Sequence, residues 1–181
     1  MIEIGEGLTE AEVTARARAL GRLLQGGEVL LLEGSMGAGK TTFVRALAGG
    51  LGVFRPERVS SPTFALCLHH PGPIALVHLD LHRLGGGDPD SDDPLVLDPG
   101  AASGASAEAL GLASGELEGP GRVICVEWPD RWISPPEDHL KIAIDRPRGS
   151  LDLRTLRAVA GGPRSARTLD RWIVEFAGQS P

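Results

Sequence analysis

Glu28-Val29-Leu30-Leu31-Leu32-Glu33-Gly34-Ser35-Met36-Gly37-Ala38-Gly39-Lys40-Thr41 decides how the chain folds. Glu28 to Glu33 is a short, continuously apolar run, as expected of a strand buried on both faces. The next eight residues satisfy G-x-x-x-x-G-K-[ST], and a helix is predicted from Lys40 to about Leu51, ending near Gly52. Strand, glycine-rich turn and helix in that order make a phosphate cradle. Glycines let successive N–H groups point inward at phosphate oxygens, and the helix N-terminus adds its positive dipole end. In that geometry Lys40 reaches the β- and γ-phosphates of a nucleoside triphosphate, and the Thr41 hydroxyl ligates Mg²⁺.

Outward from this unit, Leu8 to Gln25 reads as a helix. Thr9 and Glu12 have capping-box spacing, and Val13, Ala17, Leu20 and Leu24 share a face. Val59 to Leu68 and Ile74 to Leu81 read as two strands of a hairpin joined by His69-His70-Pro71-Gly72-Pro73. Arg122 to Glu127, Leu140 to Ile144 and Leu151 to Val159 follow as strands. Ala107 to Ala113 reads as a short helix, and Pro163 opens the last one, with Leu169, Trp172, Ile173 and Phe176 as a core stripe. The expectation is an α/β fold: one P-loop NTPase domain over residues 1–181, three-layered, its mostly parallel sheet extended by an antiparallel hairpin.

The length of 181 residues fits one domain, and the apolar runs are too short to span a membrane. The start Met1-Ile2-Glu3-Ile4-Gly5-Glu6 has no secretory pattern, and Cys67 and Cys125 read as separate buried thiols, so a cytoplasmic protein is expected. The net charge of −6 is mostly local: Gly85 to Gly121 holds eight acidic residues and no Lys or Arg, leaving 18 basic against 16 acidic elsewhere. That balance neither supports nor excludes direct contact with nucleic acid. The Gly-, Asp-, Ser- and Pro-rich stretch within it is expected to be a mobile acidic insertion at about 88–105.

A P-loop site also needs a carboxylate at the end of a neighbouring strand. Asp80 ends one apolar run and Glu127 another, so one can hold Mg²⁺ while the other orients water or a mobile loop. The guanine-reading Asn/Thr-Lys-x-Asp motif is missing, since the chain has no Asn and its second lysine, Lys141, lacks the aspartate; ATP is favoured. Three other patterns are weaker. His78, Asp80 and His82 share a strand face, but the outer two would stand about 13 Å apart on an extended strand. Asp88, Asp90 and Asp92 start like an EF-hand loop, but Asp93 and Pro99 occupy positions that need Gly and Glu. Ser61 has no evident His partner that would make it a nucleophile.

Gly34 to Phe43 (GSMGAGKTTF), Val59 to Phe64 (VSSPTF), His78 to Leu84 (HLDLHRL) and Val126 to Asp130 (VEWPD) together resemble the TsaE (YjeE) family. These are small P-loop ATPases of bacterial tRNA threonylcarbamoyladenosine (t6A) biosynthesis. The resemblance implies nucleotide binding by Gly34, Ser35, Met36, Gly37, Ala38, Gly39, Lys40, Thr41 and Thr42, with Glu10 beside the adenine. It implies Thr41 and Glu127 as Mg²⁺ ligands, Asp80 as needed for hydrolysis, and Ser60, Ser61 and Thr63 as a switch-like segment near the γ-phosphate. Trp128 would sit beside the nucleotide. ATP/ADP and Mg²⁺ are the implied cofactors. TsaD and TsaB are the implied partners, with tRNA engaged indirectly. The departures are His82 for the family's usual Tyr, Ser60 for its usual Thr, and the acidic insertion, after which Glu108 to Leu112 resumes the family pattern. Met36 to Lys40 also resembles a shikimate-kinase P-loop, and a non-catalytic nucleotide-sensing module would share Lys40, Thr41 and Glu127. A kinase, however, needs a lid arginine, and Gly85 to Gly121 has none.

Overall fold

The computed structural model describes residues 1–62, 65–84, 119–147 and 149–177. Thr63, the acidic insertion and the expected Ala107–Ala113 helix lie outside the described residues. Seven strands form one sheet: β1 (Ile2–Leu8), β2 (Val29–Glu33), β3 (Cys67–His70), β4 (Ala75–Asp80), β5 (Arg122–Glu127), β6 (Leu140–Asp145) and β7 (Arg154–Ala160). Their order is β1-β7-β6-β2-β5-β4-β3. The central four, β6-β2-β5-β4, are mutually parallel. Antiparallel pairs finish both edges, β3 on β4 at one end and β7 with β1 at the other.

The periodicity explains the layering. Alternate residues of the central strands, Leu30, Leu32, Leu76, Val123, Cys125, Leu140 and Ile142, join one large buried cluster. Into it pack α1 (Glu10–Leu23) through Val13, Ala17 and Leu20, α2 (Lys40–Leu51) through Phe43, Val44 and Leu47, and α3 (Pro163–Ala177) through Leu169 and Trp172. Trp172 packs edge-on against Phe43, and its indole N–H donates to the Arg16 carbonyl at 2.9 Å, joining all three helices. On the opposite face Val29, Leu31, Val77, Leu79, Ile124 and Val126 form a smaller cluster closed by Trp132. Among the described residues all three α-helices pack into the larger cluster, so the expected third layer is not found among them.

Two readings are corrected, and one strand is added that sequence analysis did not name. The first helix starts at Glu10, because Leu8 belongs to β1 and Thr9 is the N-cap, closing the expected capping box with Glu12. Ile2–Leu8 shows no clean alternation, and it becomes a strand because β7 offers it an edge, with register shifts along the pair. The strand expected from Val59 to Leu68 shrinks to Cys67–His70: Pro56–Arg58 forms a 3-10 turn, and Ser60 to Pro62 follows without regular structure. The polar Ser-Ser-Pro run breaks the ladder there, and Pro62 has no N–H to give it.

Candidate functional site

The C-terminal ends of β2, β4 and β5 converge beneath the N-terminus of α2, the usual place for ligands in a parallel sheet. The turn from Gly34 to Gly39 makes its reversal with positive φ at Gly34, Gly37 and Gly39. At Gly34 glycine is obligatory, since a Cβ would stand 2.4 Å from the Ile144 carbonyl oxygen. Met36 at the apex is exposed and Ala38 is buried.

The three helices differ at their starts. α1 is closed by its capping box. At α3, the Asp138 carboxylate accepts the N–H groups of Arg164 and Ser165 at 2.8 and 2.9 Å. Burial opposes its charge, but these bonds, with the Ser165 hydroxyl and the Arg164 cation, hold it below the usual aspartate range. α2 is different. Its N-cap is Gly39 without a side-chain bond, its first turn has no acidic residue, and Lys40 leads it. An uncapped helix start that carries a cation is suited to an anion.

Lys40 is buried, and its ammonium donates to the carbonyls of Gly34 and Ser35 at 2.8 and 3.1 Å. It also lies 4.0 Å over the Trp128 ring. Burial draws its pKa below the ordinary lysine value, while Glu127, Asp80 and Asp130 act in the opposite sense. Trp128 reaches this position through a left-handed backbone (φ 61°), and it also meets the His82 ring at 4.8 Å.

Asp80 and Glu127 are direct partners in the β4–β5 register, and each is only 3% exposed. Two adjacent carboxylates at that depth call for a cation. Glu127 Oε1 accepts the Thr41 hydroxyl at 2.9 Å and meets His78 Nε2 at 3.0 Å. Asp80 accepts the Ser61 hydroxyl at 2.5 Å on Oδ2 and the His82 N–H at 3.0 Å on Oδ1. A hydroxyl and a carboxylate make an all-oxygen donor set suited to Mg²⁺, and their 2.9 Å separation matches the roughly 3 Å edge of an octahedron with ~2.1 Å bonds. The residues present therefore fit Mg²⁺. The His78–Asp80–His82 cluster does not form: His82 lies in a 3-10 turn beyond the strand, and no group of three metal-binding side chains occurs among the described residues.

The sequence profile described as "Threonylcarbamoyl adenosine biosynthesis protein TsaE" matches residues 8–154. The chain belongs to the TsaE family. A Streptomyces coelicolor protein named "tRNA threonylcarbamoyladenosine biosynthesis protein TsaE" is 38% identical over 137 residues, covering 73% of this chain and 78% of that protein. The Treponema pallidum protein of the same name is 47% identical over 75 residues, which span 41% of this chain and about half (54%) of its own length. A crystal structure of Bacillus subtilis YdiB superposes with a TM-score of 0.64 over 94% of this chain and 93% of that one; at 24% identity it speaks for the fold alone.

Within this TsaE-family site the structure brings together Gly34 to Thr41, Asp80, Glu127, Trp128 and Ser61. Thr42 follows on the first turn of α2, and Ser60 is exposed beside Ser61. Glu10 is the exposed first residue of α1. Its link to the loop is indirect: Leu8 pairs with Arg154, whose Nε donates to the Ala38 carbonyl at 2.7 Å. Arg154 also donates to the carbonyls of Leu151 and Leu153, while Arg146 donates to the Gly37 carbonyl. Sequence reasoning missed both arginines. They come from the end of β6, which neighbours β2, and the start of β7, more than 100 positions beyond the loop they hold, and no local pattern marks them.

Proposed function

We propose that this chain is a Mg²⁺-dependent ATPase that serves tRNA threonylcarbamoyladenosine biosynthesis together with TsaD and TsaB in the cytoplasm. The observation that carries the reading is the meeting of Lys40, Thr41, Asp80 and Glu127 beneath an uncapped helix start, on a chain of the TsaE family. The missing guanine-reading motif favours ATP over GTP.

Each group has a task that its surroundings support. N–H groups of Gly37 to Thr41 receive the β- and γ-phosphate oxygens, while Arg146 and Arg154 hold the loop's carbonyls turned away from them. Lys40 exchanges the Gly34 and Ser35 carbonyls for phosphate oxygens and leaves the Trp128 ring. Thr41 and Glu127 hold Mg²⁺, which when bound neutralises charge on the phosphates. Asp80 orients the attacking water. Its Oδ2 is engaged by Ser61, so the switch-like segment controls when that oxygen turns to the water. His82 keeps the other oxygen fixed through its backbone N–H. Contact with tRNA is made through the partner complex.

Phosphate release from ATP, with and without the TsaB–TsaD complex, tests this. Weak basal turnover that the complex stimulates is expected, with loss in both Lys40→Ala and Asp80→Ala. Absence of stimulation by the cognate complex, or phosphate transfer to a small acceptor, refutes the proposal. A nucleotide-sensing module without turnover would bind ATP but release no phosphate in any arm.

A further inference from the structure

His78 has no part in the roles above, yet it is fully buried and bonded to the carboxylate assigned to the metal. Strand alternation sets it on the same face of β4 as Asp80, and its register partner Cys125 precedes Glu127 by two residues. An ionised carboxylate only accepts, so the 3.0 Å contact assigns the imidazole proton to Nε2. Among the described residues Nδ1 has no partner. Both described bonds to Glu127, from Thr41 and from His78, fall on Oε1, leaving Oε2 without a donor among the described residues.

The two donors are not equivalent. Thr41 is itself assigned to Mg²⁺; a hydroxyl that gives a lone pair to the ion still has its proton for Glu127, but its position then follows the ion. Of the two described donors, His78 is the one not itself assigned to the ion, so its hold on the carboxylate does not depend on Mg²⁺ being bound. We infer that His78 is a positioning residue for the metal site: its Nε2–H fixes Glu127 so that the carboxylate is already set when Mg²⁺ and nucleotide arrive. This rests on the proposed function, because it takes Glu127 as a metal ligand. Outer partners of this kind are typically worth about 10–100-fold in metal affinity.

The test compares His78→Gln, which can return an N–H near the Nε2 position, with His78→Asn and His78→Leu, which cannot. ADP affinity is measured by calorimetry across a Mg²⁺ series and in EDTA, alongside thermal unfolding. Asn and Leu are expected to raise the Mg²⁺ needed for half-maximal affinity by about tenfold or more, with Gln within about threefold of wild type. Affinity in EDTA should be unchanged in all three. Wild-type Mg²⁺ dependence in a folded Leu variant overturns the inference. Equal losses in Gln and Leu, or equal losses with and without Mg²⁺, reduce His78 to packing and overturn it too. Should the variants not fold, nitrogen-15 NMR of the wild type decides. The Nε2–H tautomer should be present in the free protein and persist with Mg·ADP; its loss refutes the idea. A wild type with Mg²⁺-independent nucleotide binding overturns the functional proposal and this inference together.

Discussion

Gly49 and Gly50 are neighbours in the last turns of α2, and the same substitution should act oppositely at the two. Glycine within a helix is less favourable than alanine by up to about 1 kcal/mol, so Gly→Ala starts with a gain at both positions. At Gly49 the new methyl would meet nothing nearer than the Arg18 guanidinium at 3.7 Å, an ordinary contact with a flexible side chain. At Gly50 it would stand 2.1 Å from the Arg18 carbonyl oxygen and 2.9 Å from the Gly21 Cα, both backbone atoms of α1. Gly21 faces the same contact, with its own added Cβ 2.3 Å from the Leu47 carbonyl oxygen. A carbon sits about 3.3 Å or more from a carbonyl oxygen, so α1 and α2 would have to part by about 1 Å. Overpacking of that order costs about 1–3 kcal/mol, more than the helix gain. Gly49→Ala should therefore stabilise by about 0.5 kcal/mol, and Gly50→Ala should destabilise by about 1–2 kcal/mol. At roughly 2–4 °C per kcal/mol for a domain of this size, the two Tm values should differ by about 3–10 °C. Thermal and urea unfolding of the two single variants reads this directly. Equal Tm values, or a Gly50→Ala protein at least as stable as wild type, would refute the claim that the helices touch backbone to backbone.

Three more outcomes follow from the site and its supports. Arg154→Ala should weaken ATP binding about tenfold through the lost bond to the Ala38 carbonyl, and Arg154→Lys should recover little because the multi-carbonyl fork is gone; calorimetry checks both. Trp132 and Trp172 are core residues, so nucleotide-induced change in tryptophan emission should come from Trp128 as Lys40 leaves its ring, and Trp128→Phe should abolish most of it. Asp138 has a folded-state pKa below its unfolded value near 3.8, so its cap on α3 is fully present above that value. The contribution is lost as pH falls through the lower folded value. Urea unfolding between pH 2.5 and 6 should show a steeper acid loss in wild type than in Asp138→Asn, which carries no such charge.

The site's chemistry was legible in sequence wherever it is local. The loop from Gly34 to Thr41 depends on spacing within eight residues, and Asp80 and Glu127 show as carboxylates ending apolar runs. What sequence could not supply is which strands are neighbours. Asp80 stands beside Glu127 only because β4 pairs with β5 in that register, and the same pairing brings His78 to Glu127. Without it, His78, Asp80 and His82 looked like a linear metal motif, whereas the chain turns after Asp80 and sends His82 to Trp128. Arg146 and Arg154 were invisible for a related reason: a guanidinium that grips a distant carbonyl leaves no periodicity in its own segment. β1 exists because β7 presents an open edge, a property of the assembled sheet and not of Ile2–Leu8. Sequence alone determined the loop, the helix it feeds and the alternation that buries each strand, because these follow from backbone geometry within a few residues. Only the tertiary structure decided which buried side chains share a carboxylate, because that depends on strand order, which no short-range rule encodes.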